Sequence, residues 1–151
     1  MEPDANVIPV VFLGGTGVNM YTNIIVANEY LFPKYSNDKT IAFDTFSFSY
    51  RGYPPNVGPD YMSNENNIIS DSKHFFEYVK GLYPTKRPLL LSHSLGTGPT
   101  TALAEYYRDR DAYGPSCVGL GESRFVFKTC VGERGRLSLL LLGKLCSLLL
   151  L

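Results

Sequence analysis

Ser94 is the residue of this chain best suited by its surroundings to covalent chemistry. It lies in Leu89-Leu-Leu-Ser-His-Ser-Leu-Gly-Thr-Gly98, where a short apolar run breaks abruptly into small residues. A helix-forming segment, Thr100-Thr-Ala-Leu-Ala-Glu-Tyr-Tyr107, follows. A strand, a very sharp turn and a helix read this way when the turn must hold one serine at its tip as a nucleophile. The strained backbone of such a turn requires small residues two positions to either side, and here they are Ser92 and Gly96. The usual form is Gly-x-Ser-x-Gly; Ser92 replaces its first glycine. An ordinary tight turn with a capping serine has a similar pattern, and the position after a third apolar strand favours the nucleophile.

A serine hydroxyl is a weak nucleophile at neutral pH until an imidazole takes its proton. The chain has two histidines, His74 and His93. His93 immediately precedes Ser94 and is expected to leave the turn in another direction. His74 falls in an expected helix ahead of the serine strand and reads as a helix-surface residue. Asp109 and Asp111 lie in Arg108-Asp-Arg-Asp111, where alternating charges read as a solvated face. Asp44 reads as a strand-end residue with a local hydrogen bond. The acid and the histidine of a triad are therefore unassigned.

Gly14-Gly15-Thr16-Gly17 follows another apolar run, Val7-Ile-Pro-Val-Val-Phe-Leu13. Backbone N–H groups of Gly14 or Gly15 could form half of an oxyanion hole, with the N–H of Leu95 as the other half. Gly15-x-Gly17 could instead open a dinucleotide fingerprint, although Met20 stands where its third glycine belongs. The acid expected at the end of the next strand is also missing, since Asp38 precedes that strand and Asp44 lies within it. A merely permissive loop is the third reading.

The elements that must position these groups alternate. Residues 7–13 predict a strand buried on both faces, as parallel sheets require. Residues 19–32 predict a helix closed by Pro33, and residues 40–50 a second strand rich in Phe, Ile and Thr. A loop rich in Pro, Gly and Asn runs to about Asn66, and an amphipathic helix is expected over 68–82. Pro88 opens the third strand, and a third helix is expected over 96–108. Strand–helix alternation of this kind predicts an α/β fold, a mostly parallel sheet with helices on both faces. Ligands bind such sheets at the carboxyl ends of the strands, where Gly14–Gly17, the loop after Tyr50 and Ser94 all fall.

Zero formal net charge with 19% charged residues gives no electrostatic pull toward nucleic acid. The opening Met1-Glu2-Pro3-Asp4 has no basic-then-apolar run, so a cytoplasmic location is expected. Cys117, Cys130 and Cys146 have no zinc spacing and read as free thiols; neither metal nor cofactor is expected. The composition changes near residue 116. All 10 prolines and all 11 tyrosines lie at or before Pro115, and all 3 cysteines after it. We therefore divide the chain into residues 1–116 and a Leu-rich tail, 117–151, that reads as lying outside the core. Membrane contact through 137–151 is disfavoured. That stretch would span roughly 22 Å as a helix against roughly 30 Å of hydrocarbon, with Lys144 inside it. A last helix packed on the sheet, or the product of a shifted frame or altered splicing, are the other readings.

Between Ile8 and Tyr107 the chain resembles the α/β-hydrolases, in particular the Bem46-like, serine aminopeptidase-like branch. Ser92-His-Ser-Leu-Gly-Thr-Gly-Pro-Thr-Thr-Ala-Leu-Ala104 matches the family's nucleophile turn and following helix. Phe48-Ser-Tyr-Arg-Gly-Tyr53 resembles its Phe-Asp-Tyr-Arg-Gly-Tyr segment, with Ser49 in place of the aspartate. Val10-Val-Phe-Leu-Gly-Gly15 stands where the family has a strand followed by His-Gly, with Leu13 in place of the histidine. The resemblance implies hydrolysis of esters, thioesters or amides of small-molecule, lipid or peptide acyl groups. It implies Ser94 as nucleophile, with Leu95 and Gly14 or Gly15 as oxyanion-hole backbone. The family's acid and histidine follow later strands, beyond residue 116, and no matching residues stand there. The family's first two strands also have no counterpart. A partial hydrolase fold with impaired or absent turnover is expected, and a non-catalytic binding protein on the same scaffold is the alternative.

Overall fold

The apolar run at the start of the chain forms β1 (Val7–Leu13), the most deeply buried strand. The computed structural model describes residues 6–16, 19–35, 41–59, 62–108 and 116–120, with 30, 31, 34, 35 and 116–120 as backbone only. Its other elements are α1 (Met20–Ile25), a π-helical stretch (Val26–Leu31), α2 (Phe32–Tyr35), β2 (Ala42–Ser47), α3 (Glu65–Leu82), β3 (Leu89–His93), a 3₁₀ turn (Ser94–Gly96), α4 (Thr97–Tyr107) and β4 (Ser116–Leu120). The four strands form one sheet in the order β2-β1-β3-β4, and each pairing is parallel. β4 begins at the compositional seam and lies beside β3. Residues 121–151, the rest of the Leu-rich tail, lie outside the described residues. No helix among the described residues is long and apolar enough to cross a membrane.

Alternate residues of β1 serve two cores, which is why the run has no polar positions. Val11 and Leu13 pack with Phe76 and Val79 of α3, Leu90 of β3, and Leu103 and Tyr107 of α4. Val10 and Phe12 pack on the other face with Ala27 of the π-helical stretch and Leu91. Chain handedness accounts for this division. A right-handed crossover from β1 to β2 puts α1 on one face. The next crossover, from β2 back past β1 to β3, runs in the opposite direction and puts α3 on the other. Phe76 is fully buried at the centre of the larger core; truncating such a residue to alanine costs about 3–5 kcal/mol.

Three elements have bounds that differ from the sequence expectation. The first helical region does not stop at Pro33 but continues to Tyr35. Proline lacks an N–H and its ring crowds the carbonyl four residues back. The wider π-helical turn just before it, where the Phe32 N–H reaches Ala27 O five residues back, relieves that crowding. α3 begins at Glu65, three residues earlier than expected, because Asn64 Oδ1 accepts from the Asn67 N–H at 2.9 Å. β2 is shorter than expected, six residues ending at Ser47. That early ending affects the site.

Candidate active site at the carboxyl edge of the sheet

β3 delivers its last residue, His93, in an extended conformation (φ −136°, ψ 137°). Ser94 then turns to φ 49° and is the one non-glycine residue with positive φ among the described residues. An L-residue in this left-handed region is strained by about 1–2 kcal/mol. Ser94 is exposed at the tip of the turn while its neighbours Ser92 and Gly96 are buried. The turn is held from behind. Thr97 Oγ1 donates to Ser94 O at 2.7 Å, and the Thr97 N–H reaches the Ser94 and Leu95 carbonyls.

The glycine at position 96 is required by the end of β1. A Cβ on Gly96 would lie 1.9 Å from Leu13 O and 2.9 Å from Gly14 O. Ser92 is fully buried, and its hydroxyl makes no hydrogen bond among the described residues.

Gly14 and Gly15 are both buried beside this turn. A Cβ on Gly15 would come within 3.0 Å of Ser94 Cβ and 3.1 Å of His93 Nδ1. A Cβ on Gly14 would come within 2.2 Å of Asn23 Nδ2 on α1. Asn23 in turn donates to Ser47 Oγ at 3.1 Å, and Ser47 Oγ donates to Phe12 O at 2.8 Å. The Tyr50 hydroxyl donates to Gly14 O at 3.2 Å. Burial, reinforced by Tyr53, pushes the Tyr50 phenol up, so it stays protonated and remains a donor.

Sheet order explains why these loops meet. From β1 the chain steps to β2 on one side and later to β3 on the other. The connections after β1 and β3 diverge to opposite faces, and the carboxyl ends of strands at such a divergence are the usual ligand position in these sheets. Gly14, Gly15, Ser94 and Leu95 stand at this point. Leu95 opens a helical segment whose first N–H groups have no partner within it.

The other expected residues are not gathered here. His74 is exposed on α3. His93 flanks Gly15 but makes no hydrogen bond with Ser94 Oγ among the described residues. Asp44 is not a residue with a local bond: it sits inside β2 and accepts from the Tyr83 hydroxyl, 39 positions away. That acceptor, with burial second, pushes the Tyr83 phenol up to about 12. Asp38, Asp109, Asp111 and Gly17 lie outside the described residues. The dinucleotide reading gains nothing, because Met20 is the first residue of α1 and Asp44 is occupied by Tyr83. No three His, Cys, Asp or Glu side chains gather into a metal site among the described residues.

Tyr50, Asn23 and Ser47 were not expected at the site. Tyr50 stands in the Phe48–Tyr53 segment singled out above, but its partner is 36 residues away. The loop beyond it is fixed by Gly52 at φ 85° and by a two-pronged ion pair from Arg51 to Asp71 of α3, with Nε to Oδ2 at 2.7 Å. No family model, curated protein or solved structure matches this chain.

Proposed function

We propose that this chain carries the nucleophile half of an α/β-hydrolase-type serine site, with ester, thioester or amide acyl groups as its substrate class. The observation that carries the reading is the left-handed backbone of Ser94 at an exposed tip, with the glycine loop of β1 packed against it. A protein retains such strain where the surrounding structure imposes it, and sites of this kind cluster at active centres. In the proposed reaction Ser94 Oγ attacks the acyl carbon, its proton passes to solvent water, and collapse of the adduct expels the alcohol, thiol or amine. The carbonyl oxygen, now negative, takes hydrogen bonds from the backbone N–H groups of Leu95 and of Gly15 or Gly14.

Turnover by residues 1–151 is proposed to be low. Neither histidine is hydrogen-bonded to Ser94 Oγ among the described residues, so no side chain is assigned to take its proton and water must serve instead. Oxyanion stabilisation and binding alone can still supply roughly 10³–10⁴-fold over water when a triad partner is missing. The same absence favours the second reading, a hydrolase-like scaffold that binds acyl compounds without turning them over.

A fluorophosphonate probe separates the two. The proposal expects a slow, stoichiometric adduct on Ser94, absent in Ser94→Ala and located by peptide mass spectrometry. An unmodified Ser94 after prolonged exposure, or equal labelling of the Ser94→Ala chain, would remove the catalytic reading. Rapid ester turnover would contradict the missing side-chain proton acceptor.

A further inference from the structure

We infer that Tyr50 is a positioning residue for the Gly14–Gly15 peptide, setting the direction in which the Gly15 N–H points beside Ser94. The inference rests on the acyl-transfer reading of that serine.

The β1–β2 ladder ends two residues short of Gly14. β2 pairs with β1 only as far as Phe12 opposite Ser47. The backbone pairing with β2 ends there, and Gly14 O lies beyond the last residue of β1. Side-chain hydroxyls from the β2 side take over: Ser47 Oγ serves Phe12 O at 2.8 Å, and the Tyr50 hydroxyl serves Gly14 O at 3.2 Å. Buried backbone carbonyls need such partners.

The peptide so held joins two glycines. With no Cβ on either side it is the link most free to rotate. A peptide group is planar and trans, so its C=O and N–H point in opposite directions. Holding Gly14 O therefore fixes the Gly15 N–H. Gly15 is also the residue whose added Cβ would touch Ser94 Cβ, at 3.0 Å. On the other side Asn23 Nδ2 fills the place of a Gly14 Cβ, which restricts any shift of the loop as a whole. The Tyr50 ring is itself fixed, edge-on to Phe48 at 5.1 Å and to Tyr53 at 6.0 Å between ring centres. It is 3% exposed, so water does not compete for the bond.

Tyr50→Phe keeps the ring and removes the hydroxyl; Tyr53→Phe is the control. For fluorophosphonate modification of Ser94, Tyr50→Phe is expected to lower the maximal inactivation rate roughly 10-fold and leave the probe's half-saturating concentration unchanged. Complete loss of an oxyanion donor costs roughly 10²–10³-fold, and a misdirected one should cost less. By nitrogen-15 relaxation of the unreacted chain, the Gly15 amide order parameter should fall from about 0.85 toward about 0.6, with α4 unchanged.

If Ser94 of the unaltered chain never labels, the acyl-transfer reading fails, and the Gly15 amide still decides the role of Tyr50. Equal order at Gly15 in the two chains overturns the inference, as does an unchanged inactivation rate. Should the variant not fold, the unaltered chain decides. A Tyr50 hydroxyl proton protected from water and coupled to the Gly14 carbonyl carbon is expected, and one exchanging freely overturns the inference.

Discussion

A Cβ on Gly96 would stand 1.9 Å from the carbonyl oxygen of Leu13, so the turn after β3 and the end of β1 touch backbone to backbone. Gly96→Ala must push these apart. We expect it to cost about 3 kcal/mol, at the upper end for overpacking, and to lower Tm by more than 10 °C at roughly 4–8 °C per kcal/mol. Gly98, two residues on in α4, would meet nothing within 4 Å. Gly98→Ala should instead stabilise by about 0.5–1 kcal/mol through helix propensity. Paired thermal melts check both signs; equal effects would show that the contact at Gly96 is not tight.

Strain at Ser94 predicts an uncommon ordering of variants. Ser94→Ala removes the hydroxyl but keeps the Cβ that makes φ 49° costly. Ser94→Gly removes both. The glycine variant should be the more stable of the two by about 1 kcal/mol, although glycine normally destabilises relative to alanine. Urea unfolding of the two variants measures this directly. An alanine variant that is equally or more stable would mean that the backbone at residue 94 is relaxed.

Ser92 stands two residues before Ser94, and its buried hydroxyl makes no hydrogen bond among the described residues. Removing an unsatisfied buried polar group recovers about 1–3 kcal/mol of desolvation cost. We expect Ser92→Ala to raise stability by about 1 kcal/mol and to leave the Ser94 labelling rate unchanged. A clear loss of stability would indicate that the hydroxyl is bonded in solution.

Alkaline pH should act through Tyr83. Its phenol is held up to about 12 by the Asp44 carboxylate acceptor and by burial. The folded state thus favours the protonated form above the ordinary value near 10. The resulting stabilisation is complete below pH 10 and disappears as pH rises through about 12. Tyr83→Phe should therefore be less stable than the parent at pH 8, with the gap closing between pH 10 and 12. Denaturation at several pH values gives the gap; one that stays constant would contradict the Tyr83–Asp44 bond.

How far the fold was legible depended on how local its causes were. β1 could be read because a strand buried on both faces leaves no polar position in Val7–Leu13. The Ser94 turn could be read because its small neighbours are only two residues away. Asn64 was a readable helix start: an asparagine before Glu65, passed over because the apolar periodicity begins later, at Ile68. The helix through Pro33 was not readable, since nothing local distinguishes a π-helical turn from a helix end. Asp44 and Tyr50 are opaque to a local reading for a different reason. Their partners, Tyr83 and Gly14, are 39 and 36 residues distant and become neighbours only once the sheet is assembled.

The central claim is that Ser94, Leu95 and the Gly14–Gly15 loop form one acyl-transfer site. A crystal structure of the chain after fluorophosphonate treatment tests it most directly. The account predicts phosphorus bonded to Ser94 Oγ, with one phosphonyl oxygen about 2.7–3.1 Å from the backbone nitrogens of Leu95 and Gly15. An adduct on another residue, or a phosphonyl oxygen pointing to solvent with neither N–H in reach, would contradict it.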